Sequence, residues 1–121
     1  MIPPQPSSLR ATLAHHAHLR RRFVAALWRY LHIVWPILSS LIAVQLLLGV
    51  IIGYVERWPF GASVYFTFIT GLTIGYGDLV PTHAVSRLLA VLIGVIGALV
   101  AGLFAAVGVR ALQDATTEHP Q

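Results

Sequence analysis

The sequence predicts an all-α membrane protein: two helices that cross the bilayer, with a short re-entrant helix and a glycine-rich loop between them. Three observations carry this. The 121-residue chain is 57% hydrophobic and only 10% charged, more apolar surface than a soluble domain of this size can hide, so lipid is the solvent for much of it. Two apolar stretches, 33–54 and 85–109, are each long enough as helices to cross a hydrocarbon core of ~30 Å. Between them, 60–72 is equally apolar but too short to cross, and it runs straight into Thr73-Ile74-Gly75-Tyr76-Gly77-Asp78.

Residues 1–8 are rich in Pro and Ser and read as a disordered tail. Residues 9–32 read as an amphipathic helix. Leu19, Phe23, Ala26, Leu27, Tyr30 and Leu31 recur at helical spacing, with His15, His18, Arg22 and Arg29 on the other side. An Arg/His face opposite an aromatic-rich apolar face suits the membrane interface. The apolar run that follows is too long for a cleavable leader, and no small-residue cleavage site follows it.

The outer span covers 33–54, with Pro36 near its start, where a missing amide donor costs least, and Gln45 as its only strongly polar side chain. The connection Glu56-Arg57-Trp58-Pro59 is short and polar, with Tyr54 and Trp58 at interface level. Segment 60–72 is expected to enter the membrane and return. Such backbone survives at membrane depth only where protein covers it or it lines water. The inner span, 85–109, carries small residues at every fourth place: Ala90, Gly94, Ala98, Gly102, Ala106, with a second row at Gly97, Ala101, Ala105. Such rows let helices pack closely or line a cavity. Residues 111–121 read as a polar cytoplasmic tail.

All eight basic residues are Arg, and five of them (Arg10, Arg20, Arg21, Arg22, Arg29) precede the first span. With Arg110 after the second, they place both termini in the cytoplasm of a multi-pass cell-membrane protein. Arg20, Arg21 and Arg22 are candidates for anionic lipid. No groove-reading or base-stacking module accompanies the net charge of +4, so nucleic acid is not expected as a partner. The absence of cysteine excludes a disulfide framework and thiol-bound metal. No nucleophile–base constellation suggests an enzyme, and no cofactor is expected.

Two glycines at alternating positions permit backbone conformations that a side chain forbids. Thr-x-Gly-Tyr-Gly can therefore turn successive carbonyls the same way, into a line of oxygens that replaces the water of a cation. With this motif between a short apolar segment and a second span, the chain resembles the potassium-channel pore family in its prokaryotic form with two membrane helices. The resemblance covers roughly 33–110, the pore domain.

The resemblance implies a four-fold homotetramer. The carbonyls of Thr73, Ile74, Gly75 and Tyr76, with the Thr73 hydroxyl, would bind K+. Gly75 and Gly77 would permit the backbone, and Tyr76 would hold the filter's width. The C-terminal end of the preceding helix would favour a cation at mid-membrane. Some family members carry a glutamate nine residues before the filter Asp. Ile69 stands there, so Tyr65, one turn earlier, is expected to hydrogen-bond Asp78 and support the filter. Gly97 lies where the family commonly has an inner-helix hinge, with a packing notch as the alternative. Ala101, Ala105 and Val109 would line the inner cavity or gate. The function implied is passive, selective K+ conduction. The alternatives are a weakly selective cation channel of the same fold and a nonconducting accessory subunit, which would have no reason to keep Thr73 through Asp78. His83, near the outer mouth, reads as a solvated loop histidine.

Overall fold

A computed structural model describes residues 6–117. Among them are three helices, α1 (Pro6–Glu56), α2 (Phe60–Gly71) and α3 (Ala84–Thr117). Two of the three, α1 and α3, are long and apolar enough to cross a membrane, and α2 is apolar but short.

Helices α1 and α3 are longer than the sequence reading placed them, and α2 ends at Gly71, one residue short of the expected 60–72. The expected tail 1–8 is helical from Pro6, since a proline in the first turn gives up an amide that would have no partner anyway. Residues 1–5 lie outside the described residues. Segments 9–32 and 33–54 form one helix, and Pro36 sits inside it, costing one backbone hydrogen bond without ending it. At the other end α3 continues to Thr117, through 111–117 of the expected polar tail, where Ala111 and Ala115 are buried. Residues 118–121 are outside the described residues. Helix α1 stops where Arg57 takes a left-handed conformation, φ 59°, and the amide of Trp58 donates to the Gly53 carbonyl at 2.8 Å. This is a Schellman-type stop in a position usually held by glycine.

The chain divides into two compact units, Trp35–Ala105 and the residues up to Val34 together with those from Ala106 on. In the first unit the core takes one buried residue from each helix: Ile52, Phe66 and Ile93, with Leu48, Trp58, Leu79, Leu89 and Ala90 against them. Trp58 meets Phe66 edge to face, ring centroids 5.2 Å apart.

Helix α2 is seated on α1 through three contacts, each one turn from the next. A Cβ on Gly53 would fall 1.7 Å from Ser63 Oγ, and one on Gly49 would fall 1.6 Å from Thr67 Oγ1. A Cβ on Gly71 would fall 2.5 Å from Gln45 Nε2. Residues 53, 49 and 45 thus descend α1 as 63, 67 and 71 descend α2. Small residues permit this approach, and the hydroxyls are satisfied by α2 and its N-cap: Thr67 donates to the Ser63 carbonyl (2.8 Å) and Ser63 to the Pro59 carbonyl (3.3 Å). Gln45, buried, donates from Nε2 to the Ile93 carbonyl at 3.0 Å, tying α1 to α3.

In the second unit the apolar face read from the sequence is the covered one. Leu19, Phe23, Leu27, Tyr30 and Leu31 are half-buried and Ala26 is buried, whereas His15, His18, Arg22 and Arg29 are exposed. Asp114 near the end of α3 accepts a hydrogen bond from the Tyr30 hydroxyl and pairs with Arg29 at 3.3 Å. A groove of about 620 Å³ beside them is lined by Arg22, Arg29, Asp114 and Thr117 among others. Arg20, Arg21 and Arg22, named above for anionic lipid, are exposed.

Candidate functional site

The loop after α2 begins with backbone geometry that few residues accept. Positive φ occurs at Thr73 (58°), Gly75 (58°) and Gly77 (77°), and not at Ile74 or Tyr76 between them. Glycine takes such values freely. For a β-branched residue the conformation is a true outlier, of order 1–3 kcal/mol, kept only where the surroundings dictate it.

The end of α2 supplies that dictation. The Thr73 amide donates to the Thr70 carbonyl (3.1 Å), and the amides of Ile74 (2.8 Å) and Gly75 (3.1 Å) both donate to the Ile69 carbonyl. A carbonyl and the amide of the next residue point opposite ways across a planar trans peptide, and no peptide here is cis. The carbonyls of Leu72, Thr73 and Ile74 are therefore turned away from α2. Ile69 acts through its carbonyl, while its side chain is buried at 6% exposure.

The far side of the loop is pinned at three points. Tyr65 donates to Asp78 at 2.9 Å, so the contact expected from the sequence is formed. Arg87 Nε donates to the Pro81 carbonyl at 3.1 Å. Glu56, at the end of α1, holds Thr82 and His83. Its Oε1 accepts their two amides at 3.0 and 2.9 Å, and its Oε2 accepts the Thr82 hydroxyl at 2.7 Å. His83 is exposed to solvent, as expected, but it is also bonded, with Nδ1 3.0 Å from Glu56 Oε1.

Burial opposes the charge on Glu56. The His83 amide, then the Thr82 hydroxyl and amide and the Ser86 hydroxyl, outweigh it and hold the carboxyl well below the usual glutamate range. Ser86 Oγ, fully buried, makes no hydrogen bond of its own among the described residues, so its influence is that of a nearby dipole.

The remaining sequence-named residues separate clearly. Gly97 is buried, and a Cβ there would lie 2.0 Å from the Gly71 carbonyl oxygen. The glycine is thus accounted for by close packing between α3 and the end of α2. Ala101, Ala105 and Val109, on one face of α3, are exposed. Tyr76 is 70% exposed and Ile74 48%, so the chain's own residues do not cover them. An apolar cavity of about 400 Å³ is lined by Gln45, Thr67, Gly71, Thr73, Gly97 and Phe104 among others.

The sequence reading missed Glu56, whose partners lie 26 and 27 residues on, the left-handed Thr73, and the Gly49–Gly53 seat. Only the last left a readable signal, two glycines four residues apart facing two hydroxyls at the same spacing.

A sequence profile described as "Ion channel" matches residues 37–114, which includes α2, the loop and most of α3. One stretch of 34 residues is 44% identical to the Open rectifier potassium channel protein 1 of Drosophila melanogaster, covering 28% of this chain and 3% of that protein. Another comparison over 34 residues gives 47% identity with the TWiK family of potassium channels protein 18 of Caenorhabditis elegans, covering 28% of this chain and 7% of the relative. The matched stretch is thus a small part of the length of either relative. No solved structure matches significantly.

Proposed function

Since the chain belongs to the ion-channel family, we propose that it is the pore subunit of a potassium-selective channel, conducting K+ passively through Thr73, Ile74, Gly75, Tyr76 and Gly77. One observation carries the reading: the alternation of positive φ at Thr73, Gly75 and Gly77, with the α2 carbonyls holding the loop amides so that the Thr73 and Ile74 carbonyls face away. Oxygens turned to one side are what a desolvated cation needs. The names of both relatives, potassium channels, favour K+ over other ions.

One chain forms only one wall of such a site, so the proposal includes a four-fold homotetramer around the loop. The exposure of Tyr76 supports it, because a large ring with no cover from its own chain is suited to a neighbour. Ala101, Ala105 and Val109 would then line the inner vestibule, and the negative end of α2 would favour a cation there. The arginine distribution favours an orientation with both termini in the cytoplasm. The channel needs no cofactor beyond the permeant ion. Gly97 is retained here as a packing residue, and a hinge role is not required.

The test is the reversal potential of the purified protein in liposomes with K+ inside and Na+ outside. A reversal near the potassium equilibrium potential is expected. A reversal near zero with current present would replace this reading with a weakly selective cation channel. Well-folded protein that passes no current would leave the accessory subunit.

A further inference from the structure

Glu56 and His83 form a titratable pair beside the loop, outside the ion-binding residues. The Glu56 side chain is 3% exposed and the His83 side chain 58%, so one group is locked in and the other is open to solvent protons. His83 Nδ1 faces two oxygens, Glu56 Oε1 at 3.0 Å and Thr82 Oγ1 at 3.3 Å. The Thr82 hydroxyl spends its hydrogen on Glu56 Oε2, so both oxygens can only accept, and Nδ1 must carry a hydrogen. The doubly protonated ring always does, whereas the neutral ring does so in only one of its tautomers.

We propose that the Glu56–His83 pair is a proton-binding site, in which protonation of His83 tightens the grip of Glu56 on loop 79–83 and thereby steadies the filter. The last clause rests on the channel reading above, and the tightening itself does not. The other charged groups around the pair are Arg57, next to Glu56, Arg87, committed to the Pro81 carbonyl, and Asp78, committed to Tyr65. Protonation turns a neutral hydrogen bond into a charge-assisted one, shorter and stronger. Glu56, held well below the usual glutamate range, keeps its anchoring above that range and loses it only in strong acid. Protonated His83 adds this charge-assisted bond, and loss of the second proton removes it.

Two readouts on the full chain in lipid nanodiscs or liposomes test this. Hydrogen exchange of the Thr82 and His83 amides, corrected for intrinsic pH dependence, should slow several-fold from pH 8 to pH 5.5. His83→Gln, which can hydrogen-bond but cannot titrate, should remove that dependence, and Glu56→Gln should raise exchange at every pH. The decay of K+ current should slow over the same pH interval in the native chain and not in His83→Gln. Equal pH dependence of exchange in the native and His83→Gln chains would overturn the proton site. Lost current with the exchange effect intact would instead overturn the channel reading.

Discussion

Gly97 of α3 rests directly on the backbone of Gly71, the last residue of α2. A Cβ on Gly97 would stand 2.0 Å from the Gly71 carbonyl oxygen, 2.6 Å from its carbon and 2.7 Å from its Cα. Gly71 in turn meets Gln45 of α1. Three helices converge at this point, two residues before Thr73. No flexible side chain lies in the contact to give way.

Gly97→Ala should therefore destabilise the fold by about 1–3 kcal/mol, the usual cost of overpacking a close contact. Thermal unfolding in detergent and the yield of assembled protein would measure it. Gly94→Ala and Gly102→Ala, on the same helix with open space around them in the subunit, should cost far less. Full stability in Gly97→Ala together with altered gating would instead assign this glycine to a hinge.

The contact between Gly49 and Thr67 yields a second expectation. Gly49→Ala places a methyl 1.6 Å from Thr67 Oγ1 and 2.9 Å from its Cβ. The Thr67 hydroxyl is bonded to the Ser63 carbonyl, so rotating away breaks that bond. Adding Thr67→Ala removes the hydroxyl and should restore part of the loss, leaving a coupling within the ~0.5–3 kcal/mol seen for contacting pairs. A double-mutant cycle on unfolding is the measurement, and strict additivity would mean that α2 is not seated on α1 in this way.

Much of this architecture was legible because it depends on length and on glycine. Segments 33–54 and 85–109 announce themselves by apolar length, and 60–72 by the lack of it. Gly75 and Gly77 mark a backbone that no other residue would accept comfortably. The Tyr65–Asp78 bond was legible because an expected acid is replaced by Ile69 and one polar side chain stands a turn away. Glu56 was not, because its partners are mostly backbone amides, which every sequence has. Nor was Thr73, since nothing in its side chain signals a left-handed φ, which is imposed by the carbonyls at the end of α2. The helix ends were misjudged where polar letters in 111–117 hid Ala111 and Ala115, which are buried in the fold.

Tyr65→Phe tests how far the Asp78 contact supports the loop proposed as the filter. The substitution deletes one donor at 2.9 Å and leaves the ring in place. With Glu56 and Arg87 still holding Pro81, Thr82 and His83, the loop should stay folded but lose restraint at Asp78. K+ current should then decay several-fold faster under sustained activation, with unitary selectivity for K+ over Na+ intact at early times. Unchanged decay in single-channel and macroscopic records would leave Asp78 as a solvated residue without a supporting role.

The Tyr30–Asp114 bond predicts a pH effect of its own in the other unit. The hydrogen bond to Asp114, with burial and the carboxylate charge adding to it and Arg29 opposing, raises Tyr30 above its ordinary value. A group raised on folding stabilises below its unfolded value and loses that contribution as pH climbs through the folded one. The pairing between 9–32 and the end of α3 should thus be insensitive to pH near neutrality and weaken only in strong alkali. Asp114→Asn removes the charge that Tyr30 and Arg29 share. Because the Arg29–Asp114 pair is largely exposed, at 67% and 41%, most of the loss should come from the tyrosine contact rather than from the ion pair. Tyrosinate absorbance followed against pH should show Tyr30 ionising late in the native chain and returning towards the ordinary range in Asp114→Asn. Identical titrations of the two proteins would mean that α1 and the end of α3 do not meet through this bond.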